Sequence, residues 1–150
     1  MFLIFLLASC SSNKKLYEEY YTLPNMSWNR FDIVKFEVPV QEGGMDADFY
    51  LTIRHIPEIP YESLKYNFTF IMPSGEIRTA DYELEFVDKT GNLLSDCLGD
   101  LCDITMLVRK GLLVSEAGVL KIEIENKYTK IEMPGIMEVG LIVRESEEAL

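Results

Sequence analysis

The chain has 150 residues, a formal net charge of −11 and a sequence pI near 4.5. That length suits one domain with a sizeable core. The acidity excludes the basic footprint that nucleic-acid binding needs, and it disfavours attraction of the domain surface to anionic headgroups.

Phe2 to Leu7 is an apolar run, too short to span a bilayer but suited to the apolar part of a signal peptide. Leu7-Ala8-Ser9-Cys10 then fits the bacterial lipobox, a Leu three residues before a Cys with two small residues between. The thiol accepts a diacylglyceryl group, and the small residues let a peptidase reach the bond before Cys10. Residues 1–9 therefore read as a lipoprotein signal peptide and Cys10 as the lipidation site. No Lys or Arg precedes the run, which departs from the usual pattern. The competing reading is a buried N-terminal strand with a chance Cys. Residues 10–28 read as the lipidated Cys, a polar tether and a lead-in, with Tyr17, Tyr20 and Tyr21 packing on the domain edge or docking on a partner.

From there the apolar period is two rather than 3.6. Phe31, Ile33 and Val34 open a strand that ends at Phe36, Val38 and Pro39; Gly43-Gly44 is a turn. Phe49, Leu51 and Ile53 alternate with Asp48, Tyr50, Thr52 and Arg54, until Pro57 and Pro60 stop the ladder. Leu64, Tyr66, Phe68 and Phe70 line the next apolar face. Pro73-Ser74-Gly75 turns the chain into Tyr82, Leu84 and Phe86. A turn at Asp88–Asn92 leads to an irregular loop through Cys97 and Cys102. Ile104 to Val114 is strand-like, with a break near Lys110-Gly111. Leu120, Ile122 and Ile124 alternate with Lys121, Glu123 and Glu125, and a last strand past Pro134-Gly135 holds Val139, Leu141 and Val143.

About seven or eight short strands with one apolar face each must cover one another as two sheets. The pattern predicts an antiparallel β-sandwich over residues 29–145, with 146–150 as a frayed charged tail; a closed β-barrel is the alternative. With Cys10 lipidated, Cys97 and Cys102 remain. An even remainder in an exported chain permits one disulfide across Gly99, against two free or separately buried thiols.

The order of several short segments resembles a known family. They are the lipobox, Tyr17-Glu18-Glu19-Tyr20, Leu23-Pro24 with Trp28, Leu51-Thr52-Ile53-Arg54-His55, Pro60-Tyr61 with Leu64, and Met72-Pro73-Ser74-Gly75. Leu98-Gly99-Asp100, Gly118-Val119-Leu120-Lys121-Ile122 and Val139-Gly140-Leu141-Ile142-Val143 complete the set. Together they resemble the gliding-motility lipoprotein GldH family of the Bacteroidetes. The resemblance implies an envelope lipoprotein that acts with the gliding machinery and with the secretion system coupled to it. It brings no catalytic motif.

The residues themselves offer little chemistry. His55 is the only histidine, so any Ser-His or Cys-His arrangement would be built on it, yet it reads as a packed residue at a strand end. Asp88, Asp96, Asp100 and Asp103 fit no EF-hand spacing and read as a solvated acidic loop. Glu83/Glu85 and Glu123/Glu125 read as solvated strand faces. No catalytic residue, metal site or cofactor is expected. Tyr17, Tyr20, Trp28, Tyr50 and Tyr61 are the expected interaction surface, because aromatic side chains often anchor interfaces. The expected partners are the membrane, through the lipid, and other envelope or gliding proteins. The expected location is the outer membrane facing the periplasm, with the inner membrane or cell surface as alternatives. A carbohydrate-binding sandwich, and then a hydrolase, are the competing functions.

Overall fold

The computed structural model describes residues 13–147, so Cys10, the segment 1–9 and the end of the 146–150 tail fall outside it. Its strands are β1 (Lys15–Thr22), β2 (Val34–Val40), β3 (Met45–His55), β4 (Ser63–Ile71) and β5 (Ile77–Glu85). Then follow β6 (Asp96–Leu98), β7 (Leu101–Val114), β8 (Gly118–Asn126) and β9 (Ile136–Glu145). One sheet has the order β1-β9-β3-β7-β6 and the other β2-β8-β4-β5, with every neighbouring pair antiparallel. The sheets do not close on each other, so the fold is a sandwich and not a barrel.

Period-two patterning explains the core. Phe36 and Val38 of β2, Phe49, Leu51 and Ile53 of β3, and Leu64, Tyr66 and Phe68 of β4 are all buried. So are Leu120, Ile122 and Ile124 of β8 and Val139, Leu141 and Val143 of β9. Each large apolar side chain so removed from water contributes roughly 1.5–3 kcal/mol before entropy opposes it. The intervening residues of β2 and β8 carry Lys35, Glu37, Lys121 and Glu123 outward.

Three elements differ from the sequence reading. The lead-in is not a tether throughout: Lys15–Thr22 is an edge strand paired along β9 from Arg144 to Glu138. It shows no alternation because it is a sheet-edge strand on which Tyr17 alone is half-buried against the core and the other seven residues are exposed. The strand expected from Phe31 starts at Val34, with Phe31 and Ile33 exposed. The break near Lys110-Gly111 is a bulge inside one fourteen-residue strand, β7. There Gly111 takes φ 63°, and its amide donates to Asp48 Oδ1 at 2.7 Å, which also accepts the Ser146 hydroxyl at 2.7 Å.

Strand direction gives the sandwich two distinct ends. Lys15, the end of β9 and the β2–β3, β4–β5 and β7–β8 turns share the proximal end. The β1–β2, β3–β4, β5–β6 and β8–β9 connections share the distal end.

Candidate functional site: the outer face of the five-stranded sheet

Register places three cross-strand rows side by side on the solvent face of the five-stranded sheet. Tyr20, Gly140, Thr52 and Thr105 form the middle row. Thr22, Glu138, Arg54 and Asp103 form one flank, and Glu18, Ile142, Tyr50 and Leu107 the other. Gly140 makes the middle row possible. A Cβ there would lie 2.6 Å from Tyr20 Cδ1 and press on Thr52 Cγ2, so only glycine lets the Tyr20 ring lie across the sheet. The ring covers Thr52, which is buried although it points outward.

The polar groups are tied to one another. Arg54 donates from Nε to Asp103 Oδ1 at 2.8 Å and from Nη2 to Asp103 Oδ2 at 3.0 Å, with Nη1 3.6 Å from Glu138 Oε2. This two-pronged pairing lowers the Asp103 pKa and raises that of Arg54. The Tyr20 hydroxyl donates to Glu18 Oε1 at 2.6 Å, while Lys15 Nζ holds the other Glu18 oxygen. The bond to Glu18, then burial, pushes the Tyr20 phenol up to about 12. Lys15, and then Tyr20, lowers the Glu18 carboxyl. Together the middle row and the Arg54 cluster frame a shallow depression of about 550 Å³. With the guanidinium already engaged, the face offers hydroxyls, carboxylate lone pairs and the apolar surfaces of Ile142 and Leu107. That is chemistry for docking another surface.

The structure divides the expected aromatic surface. Tyr20 and Tyr50 belong to this face, and Tyr17 is half-buried at the β1 edge, where burial raises its pKa. Trp28 and Tyr61 are corrections. Trp28 is 0% exposed; its indole Nε1 donates to the Asp32 carbonyl at 2.8 Å, and its own carbonyl accepts Asn126 Nδ2 at 2.8 Å. Tyr61 is 7% exposed, bonds the Pro134 carbonyl at 2.8 Å and packs edge-on against Tyr128. Both aromatics fasten distal-end connections to the core, and amphipathic character alone does not separate that task from surface display. The sequence reading missed Arg54–Asp103–Glu138. The three residues sit at outward strand positions, but only the pairing of β3 with both β7 and β9 brings them together.

His55 faces the core. Its Nδ1 contacts the Ile56 carbonyl at 2.7 Å and therefore carries the proton, leaving Nε2 to accept the Ser95 hydroxyl at 2.6 Å. Burial lowers its pKa, and Phe86 packs edge-on against the ring at 5.1 Å. A backbone carbonyl stands where a triad would place its carboxylate, so the arrangement latches the β5–β6 connection to β3. Cys97 and Cys102, the latter opposite His55, are joined in a disulfide across a hairpin turned by Gly99 at φ 62°. The acidic loop does not converge. Asp88 Oδ1 accepts the Thr90 and Asn92 amides at 2.8 and 2.9 Å, while Asp103 is held by Arg54. Glu83 accepts the Ser63 hydroxyl at 2.6 Å; Glu123 and Glu125 sit 3.8 and 3.5 Å from Lys35 and Lys127.

The family model described as GldH lipoprotein matches residues 15–143, from the first residue of β1 almost to the end of β9. A curated relative is the gliding motility lipoprotein GldH of Flavobacterium johnsoniae. It is 22% identical over 149 residues, covering 95% of this chain and 91% of that protein. With the family model spanning both sheets, the chain belongs to the GldH lipoprotein family.

Proposed function

We propose that this protein is a non-enzymatic envelope lipoprotein that supports gliding motility, and the secretion machinery associated with it, through protein–protein contacts. The observation that carries the reading is the family match over the whole sandwich, preceded in sequence by the Cys10 lipobox. The outer-face depression supports it: its strongest cation is neutralised in place, and its hydroxyls and apolar flanks suit a partner surface. In this reading the lipid on Cys10 holds the domain to the outer membrane, facing the periplasm. Ser11 to Lys15 carries no acid, whereas surface export in such bacteria is associated with acids close to the lipidated Cys.

Two measurements test anchoring and orientation. Radiolabelled palmitate should enter the wild type and not Cys10→Ala, whereas equal label in both would remove the anchor. Protease added to intact cells should spare the domain until the outer membrane is opened; rapid loss from unbroken cells would reverse the orientation.

A further inference from the structure

The sandwich begins close to its lipidation site in sequence. The Asn13 carbonyl accepts Arg144 Nη1 at 3.3 Å, and the Lys14 carbonyl accepts the Glu145 amide at 2.8 Å, so both residues are already tied to β9. Only Ser11 and Ser12 separate Asn13 from Cys10. At no more than about 3.6 Å per residue, the chain allows Cys10 at most roughly 11 Å from Asn13. A link this short cannot hold the domain clear of the bilayer that holds Cys10. Its point of attachment makes the proximal end the part that faces the lipid.

That end carries exposed apolar side chains on both sheets. Leu113, one residue from the end of β7, and Ile77, the first residue of β5, are each 65% exposed. Val119, second in β8, is 44% exposed and Leu16, second in β1, 39%. Leu113 stands between the buried Leu112 and Val114, so it points outward from the five-stranded sheet. Val119 precedes the buried Leu120 and points outward from the other sheet. Ile77 pairs with Ile71, which stands between the buried Phe70 and Met72, and so shares that second outer face. The turns join the two faces: Leu113 and Pro73 line one hollow, and a Cβ on Gly118 would stand 3.1 Å from Pro73 Cβ. The Ser146 amide donates to the Asp46 carbonyl at 2.9 Å and ties the end of β9 to the start of β3. Four side chains from four strands, spread around one end, suit a flat surface met end-on. A protein lying against either sheet would reach one side only.

The charges of this end decide which flat surface. Residues 13–16, 41–46, 73–78, 110–119 and 144–147 hold six acids against five bases, and Glu76 pairs with Arg78 at 3.0 Å. Near balance, with no basic excess, gives no attraction to anionic headgroups and fits zwitterionic ones.

We infer that the proximal end is a membrane seat: Leu16, Ile77, Leu113 and Val119 enter the headgroup–acyl boundary of the zwitterionic bilayer that holds the Cys10 acyl chains. The sandwich then stands upright, with its distal end farthest from the lipid. This seat rests on the Cys10 anchor proposed above and fixes how the anchored domain is presented. Because the anchor makes the contact an intramolecular step, a few apolar side chains suffice that would not hold a free protein to a bilayer.

The test uses the full lipidated chain, purified from its own cells and placed in phosphatidylcholine vesicles with or without bromine on the acyl chains near the headgroups. Bromine there quenches a tryptophan that enters the bilayer. The native Trp28 is buried and gives a constant background. The emission added by Leu113→Trp or Ile77→Trp should fall about twofold in brominated vesicles, as for a ring at the headgroup–acyl boundary. The emission added by Ile131→Trp, at a 67% exposed distal-end position, should not change. Raising the salt from about 0.1 M to about 1 M should leave the quenching in place, because no charge pairing drives it. Leu113→Asp with Ile77→Asp should cut the quenching of Val119→Trp about twofold or more while the melting temperature stays within about 3 °C, both positions being exposed. Equal quenching at positions 113 and 131, loss of quenching in salt, or indifference of position 119 to the double substitution would each overturn the seat. The intact mass of the same sample reports the acyl group. Acylated protein with no quenching at 113 and 77 would remove the seat and leave the anchor standing; protein without the acyl mass would remove both.

Discussion

Trp28 and Phe31 are three residues apart and opposite in environment, so substituting each separates the core from the displayed surface. Trp28→Ala removes the largest side chain in the fully buried set, together with the indole bond to the Asp32 carbonyl. Truncating a buried Trp costs about 3–5 kcal/mol, and for a domain of this size each kcal/mol lowers the melting temperature by about 2–4 °C. A drop of roughly 6–20 °C is therefore expected. Trp28→Phe should fall between, losing about 1 kcal/mol for the bond plus the missing ring volume. Phe31→Ala, at an exposed position, should stay within about 0.5 kcal/mol of the wild type. Because Trp28 is the only tryptophan, far-ultraviolet circular dichroism is the assay. A melting temperature for Trp28→Ala within about 2 °C of the wild type would refute the packing of the distal end.

Other outcomes follow from the same geometry. Burial lowers the His55 pKa in the fold. Its contribution is therefore full above the unfolded value of about 6.5 and falls as acid protonates the unfolded state first. Urea midpoints should drop more between about pH 7.5 and pH 5 for the wild type than for His55→Phe; equal drops would contradict the neutral latch. Thiol counting on unfolded, unreduced protein should find neither Cys97 nor Cys102 free. Replacing both with Ser should cost at most about 2 kcal/mol, since the closed loop is short. Gly140→Ala should destabilise by about 1–3 kcal/mol through overpacking against Tyr20 and Thr52. Gly140→Ala combined with Tyr20→Ala should cost less than the sum of the singles, and additive urea midpoints would deny the contact.

Alternation made the sandwich legible. Leu120, Ile122 and Ile124, or Leu64, Tyr66 and Phe68, declare one buried face each, and two such sheets have few ways to cover themselves. The β1 strand was illegible because Lys15-Leu16-Tyr17-Glu18-Glu19-Tyr20 lies at the sheet edge, where no face is fully dry and no alternation is imposed. Candidate surface residues were harder to read. Tyr20 and Trp28 look alike in sequence, yet one lies across Gly140 in solvent and the other is sealed behind Met133. What separates them is the partner strand opposite each, and residue type carries no record of that. The Arg54–Asp103 pair spans 49 residues of sequence and exists only through the β3–β7 register.

The claim that this sandwich works as an anchored docking module is tested most directly by isolating the full lipidated protein from its own envelope after crosslinking and identifying what comes with it. The account expects a reproducible set of gliding or secretion-machinery proteins, depleted when Cys10→Ala releases the domain from the membrane. Recovery of only abundant, unrelated envelope proteins, the same with and without the anchor, would contradict it.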